Sequence, residues 1–146
     1  MRVEKRYLAY GHDLDTDISP IQAGLAFAVG WDRPFIGREA LLRQREAAEA
    51  CRIVTLLLED EDAVPLGGEP VYLEDRIAGK TTSAAFGYRI GRPLAIADLT
   101  LAEARAEGAT AFVDIAGTRH AAKVTLRPAF DPQGLRMRGL QAAVKA

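Results

Sequence analysis

The stretch RIAGKTTSAAFGYRIGRPLAIADL, Arg76 through Leu99, joins two long runs of apolar and small residues through a glycine-punctuated bend. It reads as strand, corner, strand. Residues 76–86 are rich in Thr, Ser, Ala and Ile, which suit a pleated surface where neighbouring backbones approach closely, and Gly79 and Gly87 mark a bulge or a sharp bend. Pro93 can stand only where the ladder asks for no N–H. That predicts a short strand over Leu94 to Ala97 whose first residues face an edge. On its own the pattern describes an ordinary barrel corner.

Working outward, the chain from Cys51 onward consists of short apolar runs separated by regular turn signals, the signature of an all-β barrel or sandwich. Arg52 to Leu58 is a strand apolar on both faces except at Thr55, as expected where one side faces the barrel and the other meets a covering element. Glu59 to Asp62 is a solvated acidic loop. Gly67 and Gly68 open a hairpin at Pro70 to Leu73, and because Glu74-Asp75 is a poor pair for a tight turn, its loop is expected to exceed two residues. Thr100 to Glu107 has the composition of one or two helical turns, with Thr100 as N-cap and Gly108 as the stop. Residues 111–127 form a hairpin turning at Gly117 and Thr118, whose second arm alternates Ala122, Val124 and Leu126 against Lys123, Thr125 and Arg127. Pro128 and Pro132 end the strand. Leu135, Met137 and Leu140 are expected to tuck back against the body, and QAAVKA beyond Gly139 to fray.

Upstream the texture differs. Residues 20–23 read as a helical turn and 24–30 as a buried strand, since Ala23 to Val29 is an almost unbroken small and apolar run. Residues 37–47 read as a short amphipathic helix, with Ile36, Ala40 and Leu41 along one side and Glu39 four residues before Arg43. The fold class is therefore mainly β: a small six-stranded Greek-key or jelly-roll-like barrel preceded by a short α/β segment. The expected boundaries are 1–48, 49–132 for the barrel, and 133–146 for a tail.

Composition narrows the function. Nearly half of the 146 residues are apolar and the formal charge is −1, so the chain can bury a core and offers no basic stripe to nucleic acid or anionic membrane. Cys51 is the single cysteine, which rules out an internal disulfide and reads as a small filler at a strand start. A reducing, cytoplasmic setting is the simplest expectation. His12 and His120 lie far apart, without metal-ligand spacing, and His12, Asp13, Asp15 and Asp17 sit in a polar turn cluster of the kind usually solvated. No nucleophile-elbow context supports a catalytic triad, and GGEP at 67–70 lacks the helix and lysine of a phosphate loop. The residues offer no self-contained active site.

Thr81-Thr82-Ser83 followed by Phe86-Gly87-Tyr88-Arg89-Ile90-Gly91, together with RVEKRYLAYGHDLDTD at 2–17, FIGREALL at 35–42 and the tail AFDPQGLRMRG, resembles the C-terminal region of the glycine-cleavage T-protein (aminomethyltransferase) superfamily. The likeness is greatest to the T-protein-like part of sarcosine and dimethylglycine dehydrogenases. It implies that residues 1–48 are the end of a folate-binding domain, and that the catalytic aspartate belongs upstream of this stretch. It further implies tetrahydrofolate as cofactor, one-carbon transfer from an amine, no flavin site within this chain, and no turnover by the chain alone. Glu4, otherwise one charge in a charged terminus, would accept hydrogen bonds from the pterin's paired N–H donors, a fork that a carboxylate matches. Arg33 and Arg52 would pair with the carboxylates of the folate tail. The expected partners are folate, a catalytic domain supplied separately or elsewhere, and a second copy of the chain, since an uncovered strand at 24–30 would seek a partner. A non-catalytic barrel module for protein interaction is the alternative.

Overall fold

The computed structural model describes residues 1–47 and 51–140. Six strands, β1 (Arg52–Leu58), β2 (Pro70–Leu73), β3 (Arg76–Gly87), β4 (Arg92–Leu99), β5 (Thr110–Ile115) and β6 (Thr118–Thr125), close into a barrel ordered β1-β4-β3-β2-β5-β6. Every neighbouring pair is antiparallel. The meander β2–β3–β4 returns its last strand beside β1, which makes the topology a Greek key, and closure between β1 and β6 removes free strand edges.

The 76–99 stretch is the long arm of this barrel. Two bulges bend β3. One lies where its register on β2 slips between Val71 and Tyr72, and the other where its register on β4 slips between Thr81 and Ser83. Beside the first, Gly79 approaches β4 so closely that an added Cβ would stand 1.9 Å from the Asp98 carbonyl oxygen. Pro93 pairs with Phe86 of β3 and lies one residue past Leu94, the last β4 residue aligned with β1. Its missing N–H removes no rung to β1.

β1 and β4 are buried on both faces. Val54, Leu56, Leu58, Ala95, Ala97 and Leu99 fill the barrel with Val71, Val113 and Val124. Ile53, Leu94 and Ile96 face outward, where Val3 covers them with Leu8 and Ile18. The segment before β1 is thus a strap over the outside of the barrel.

That strap departs from its expected form. The turn over 20–23 is present, closed by the Ala23 N–H on Ser19 O and the Leu25 N–H on Pro20 O, but 24–30 is not a strand. Gly24 is left-handed, Ala26–Ala28 is a 3-10 turn, and Phe27 is 86% exposed. The buried part lies just before it, Ile21 to Ala23, where Gln22 O accepts the Ile53 N–H of β1. Helix α1 (Arg38–Glu46) follows as expected, yet none of its residues is buried and Ile36 is wholly exposed. Arg38 folds back to donate from Nε and one terminal nitrogen to Trp31 O.

Three further expectations change. The β2–β3 loop is the two-residue turn Glu74-Asp75, tolerated because Arg119 donates to Glu74 O and Asp75 Oδ1, both at 3.0 Å. The stretch after Thr100 yields only the 3-10 turn Glu103–Arg105, and the Thr100 hydroxyl binds Ala78 O and caps nothing. In the tail Leu135 is half-buried, while Met137 and Leu140 are exposed. The expected fraying of QAAVKA falls on residues 141–146, outside the described residues, as does the 48/49 boundary.

A buried carboxylate beside a cationic recess

The 3-10 turn Val3–Lys5 lies against β3 and β4 and is buried throughout, including two charged side chains. Burying charge is costly unless each is paired, and here each is. Glu4 accepts the Arg89 backbone N–H on Oε1 at 2.8 Å and faces the Met1 ammonium at 3.3 Å on Oε2. The Lys5 ammonium donates to Asp131 O at 2.6 Å and to Asp131 Oδ2 at 3.1 Å. Burial pulls the Asp131 carboxyl upward, but the hydrogen bond from Lys5 and the Arg136 amide prevail and hold it below its ordinary value. Arg6, left-handed at the end of the turn, donates to Leu126 O and to Ile53 O. Its pKa is lowered by burial and by the nearby Arg52.

Next to this turn stands a knot absent from the sequence reading. Asp13, fully buried at its side chain, accepts from Arg2 at 2.6 Å, from the Ala9 N–H at 2.8 Å and from the Thr82 hydroxyl at 2.7 Å. Arg2 also donates to Ser83 Oγ at 2.8 Å. Thr82 is the extra residue of the second β3 bulge, so the bulge aims its hydroxyl at the strap. Burial pushes the Asp13 carboxyl up, while hydrogen bonds from Ser83, Ala9, Thr82 and Arg2 together outweigh it and hold the carboxyl below its usual range. The turn cluster expected to be solvated is solvated only in part: His12, Asp15 and Asp17 are exposed, Asp13 is not.

Between the strap and the tail lies a recess of about 410 Å³. Tyr7, Phe130 and Met137 supply its apolar lining, and Met1, whose ammonium faces Glu4, sits at its margin beside Arg89 and Arg136. The Tyr7 hydroxyl donates to Met137 Sδ at 2.9 Å, and the Arg136 guanidinium lies 5.3 Å from the Phe130 ring centroid. Lys5 is committed to Asp131 and Arg2 to Asp13, whereas the guanidiniums of Arg89 and Arg136 have no carboxylate partner among the described residues.

The three expected contact residues do not converge. Glu4 adjoins this recess through Met1 and Arg89. Arg33 lines a separate hollow of about 660 Å³ between its own loop and α1. Arg52 is aligned with Leu99, at the opposite end of β4 from the Arg89 turn, roughly 23 Å away at the usual rise per strand residue. Cys51 is half-buried and its sulfur accepts from Gln22 Nε2 at 3.1 Å. Among the described residues no group of three or more His, Cys, Asp or Glu could hold a metal ion, and no helix is long and apolar enough to cross a membrane.

Fold and site together define a Greek-key barrel module whose N-terminal strap presents a buried carboxylate beside a cationic, aromatic recess. Residues 52–131 match the glycine cleavage T-protein C-terminal barrel domain, and the chain belongs to that family. It is 38% identical over 142 residues to a 4-methylaminobutanoate oxidase (formaldehyde-forming) of Paenarthrobacter nicotinovorans, covering 95% of this chain and 17% of the relative. It is 34% identical over 99 residues to the mitochondrial dimethylglycine dehydrogenase of Homo sapiens, covering 66% of this chain and 11% of the relative. The crystal structure of the glycine cleavage system aminomethyltransferase T from Bartonella henselae superposes with a TM-score of 0.80 at 25% identity, over 90% of this chain and 37% of that one. The chain is thus an aminomethyltransferase-like C-terminal domain spanning well under half the length of these relatives.

Proposed function

We propose that this domain forms one wall of a tetrahydrofolate pocket in a protein that moves one-carbon units off amine nitrogen. The relatives' names share that chemistry: a methylaminobutanoate oxidised with release of formaldehyde, a dimethylglycine dehydrogenated, an aminomethyl group transferred. The observation that carries the reading is Glu4, a carboxylate buried beside an aromatic recess of ligand-sized volume. Its two oxygens accept two donors in all, leaving lone-pair capacity for a ligand's N–H fork. A ligand reaching Oε2 would take the position of the Met1 ammonium, whose residue is 70% exposed.

Bound there, tetrahydrofolate would supply the nitrogen that accepts the one-carbon unit. The chain's own residues bind and orient: Glu4 reads the paired donors, and Tyr7 and Phe130 exclude water. Proton transfer falls to a carboxylate on another domain, and we propose that the uncovered face at Leu25, Phe27, Phe35 and Ile36 meets that domain.

The test is calorimetric titration of the 146-residue chain with a reduced folate, alongside thermal unfolding. Binding should protect by about 2.7 kcal/mol at a ligand concentration of one hundred times Kd, and Glu4→Gln should weaken affinity at least tenfold. Neither heat nor protection would favour the second reading, a non-catalytic interaction module, to which the exposed Phe27 and Ile36 also point.

A further inference from the structure

We infer that Arg2, Asp13 and Thr82 are positioning residues for the Glu4 carboxylate, and that the second bulge of β3 sets the depth and angle at which Glu4 is presented. The apolar contact of Val3, Leu8 and Ile18 with Ile53, Leu94 and Ile96 keeps the strap on the barrel, but such contact is non-directional and fixes neither register nor angle. Directional bonds supply both. Glu4 lies inside a small loop whose ends are joined twice, by the Tyr7 N–H on Arg2 O at 3.1 Å and by the Arg2 guanidinium on Tyr7 O at 2.8 Å. The same guanidinium reaches Asp13 Oδ2 at 2.6 Å and Ser83 Oγ at 2.8 Å, so the brace of the loop is also its tie to β3. Asp13 is aimed from both sides: Oδ2 takes the Ala9 N–H at 2.8 Å, and Oδ1 takes the Thr82 hydroxyl at 2.7 Å. In a regular strand successive side chains point to opposite faces, so β3 without the bulge could offer the strap Thr82 or Ser83 but not both. The bulge delivers both hydroxyls to the strap. Just past the end of the same strand, the Arg89 N–H meets Glu4 Oε1 at 2.8 Å. One strand thus sets the anchor of the loop and the donor that its carboxylate must reach, and a displacement of about 1 Å would spoil a two-point reading of a ligand.

The use a ligand makes of Glu4 rests on the proposed function; its placement does not, and the test keeps the two apart. Hydrogen exchange of the Arg89 amide, followed by NMR in the ligand-free chain, reports whether Glu4 Oε1 is in place, because that oxygen is its acceptor. Glu4→Ala gives the exchange rate of the amide without that acceptor. Thr82→Val keeps the shape and removes the hydroxyl, and Arg2→Lys keeps the charge and loses the fork; each is expected to raise Arg89 exchange about threefold or more toward that limit. Thr82→Ser, which restores the hydroxyl, should return the wild-type rate. Val113→Ala truncates the barrel interior in β5, away from these contacts, so it should lower the unfolding midpoint and leave Arg89 exchange unchanged. In parallel, titration with tetrahydrofolate should show affinity weakened about tenfold by Thr82→Val and recovered in Thr82→Ser. Wild-type exchange already at the Glu4→Ala limit, exchange unmoved by Thr82→Val and Arg2→Lys, or exchange moved equally by Val113→Ala overturns the inference, whatever the chain binds. Affinity lost in Thr82→Val and not recovered in Thr82→Ser overturns it as well. Accelerated exchange in variants of a chain that binds no tetrahydrofolate supports the positioning role and overturns the folate reading.

Discussion

Single residues carry much of this architecture. Replacing Gly79 by alanine would set a methyl group 1.9 Å from the Asp98 carbonyl oxygen, a backbone atom that cannot swing away. Gly79→Ala is expected to cost about 3 kcal/mol or more, read by urea unfolding; a loss below about 1 kcal/mol would mean that the β3–β4 contact is looser than described. Asp13 offers a prediction in pH. Its folded carboxyl sits below the unfolded value of about 3.9, so the stability it contributes is fully present above that value and is lost as pH falls through the folded pKa. Asp13→Asn should therefore destabilise by about 2 kcal/mol at pH 7, and the gap to wild type should shrink below about pH 4. A gap independent of pH would show that the packing of Asp13, and not its charge, matters. The distant partners of Asp13 could not be read from the sequence: it meets Thr82 across 69 positions, and its partner Arg2 meets Ser83 across 81.

At the scale of elements, what was legible was what local pattern dictates. The alternation of β6, the glycine and proline punctuation of β3 and β4, and the two apolar faces of β1 all follow from a pleat of period two in a barrel covered on one side. The failures share a cause. A small apolar run such as Ala23 to Val29 has no periodicity to distinguish strand from turn, and a left-handed Gly24 settles it as a turn. The Glu74-Asp75 turn is poor by composition but is held by Arg119, 45 positions downstream. The β5–β6 turn, Ala116-Gly117, leaves a flaw: Ala116 is left-handed at φ 52° with no side chain to compensate. Ala116→Asn should stabilise the domain by about 0.5–1 kcal/mol, measured as a raised urea midpoint with unchanged slope. A lowered midpoint would contradict the described turn.

For the molecule as a whole, the barrel is closed and its strapped side is well buried, while Phe27 and Ile36 stand exposed at 86% and 104%, as Leu66 and Tyr88 do elsewhere on the surface. Phe27→Ser with Ile36→Ser is expected to leave unfolding free energy within about 0.5 kcal/mol of wild type and to abolish the self-association that the proposed docking face would drive in isolation, read by sedimentation equilibrium. An associating wild type whose double variant associates equally would remove that face from consideration. Of the candidate site, Glu4 was singled out in the sequence through a family resemblance, whereas Arg89, Phe130 and Arg136 lay within motifs that carried the resemblance but were given no role, because only the closed barrel brings the tail to the strap.

The clasp of Lys5 on Asp131 joins positions 126 apart, and β6 must likewise return to β1 before the barrel exists. On a translating ribosome adding roughly 5–20 residues per second, the opening turn waits about 6–25 s for its partner to be made. Through that interval Glu4 and Lys5 stay hydrated and the outward apolar side chains of β1 and β4 lack their cover. Closure of the strap consequently waits on the tail, and the recess between them takes shape only once Asp131 has been made.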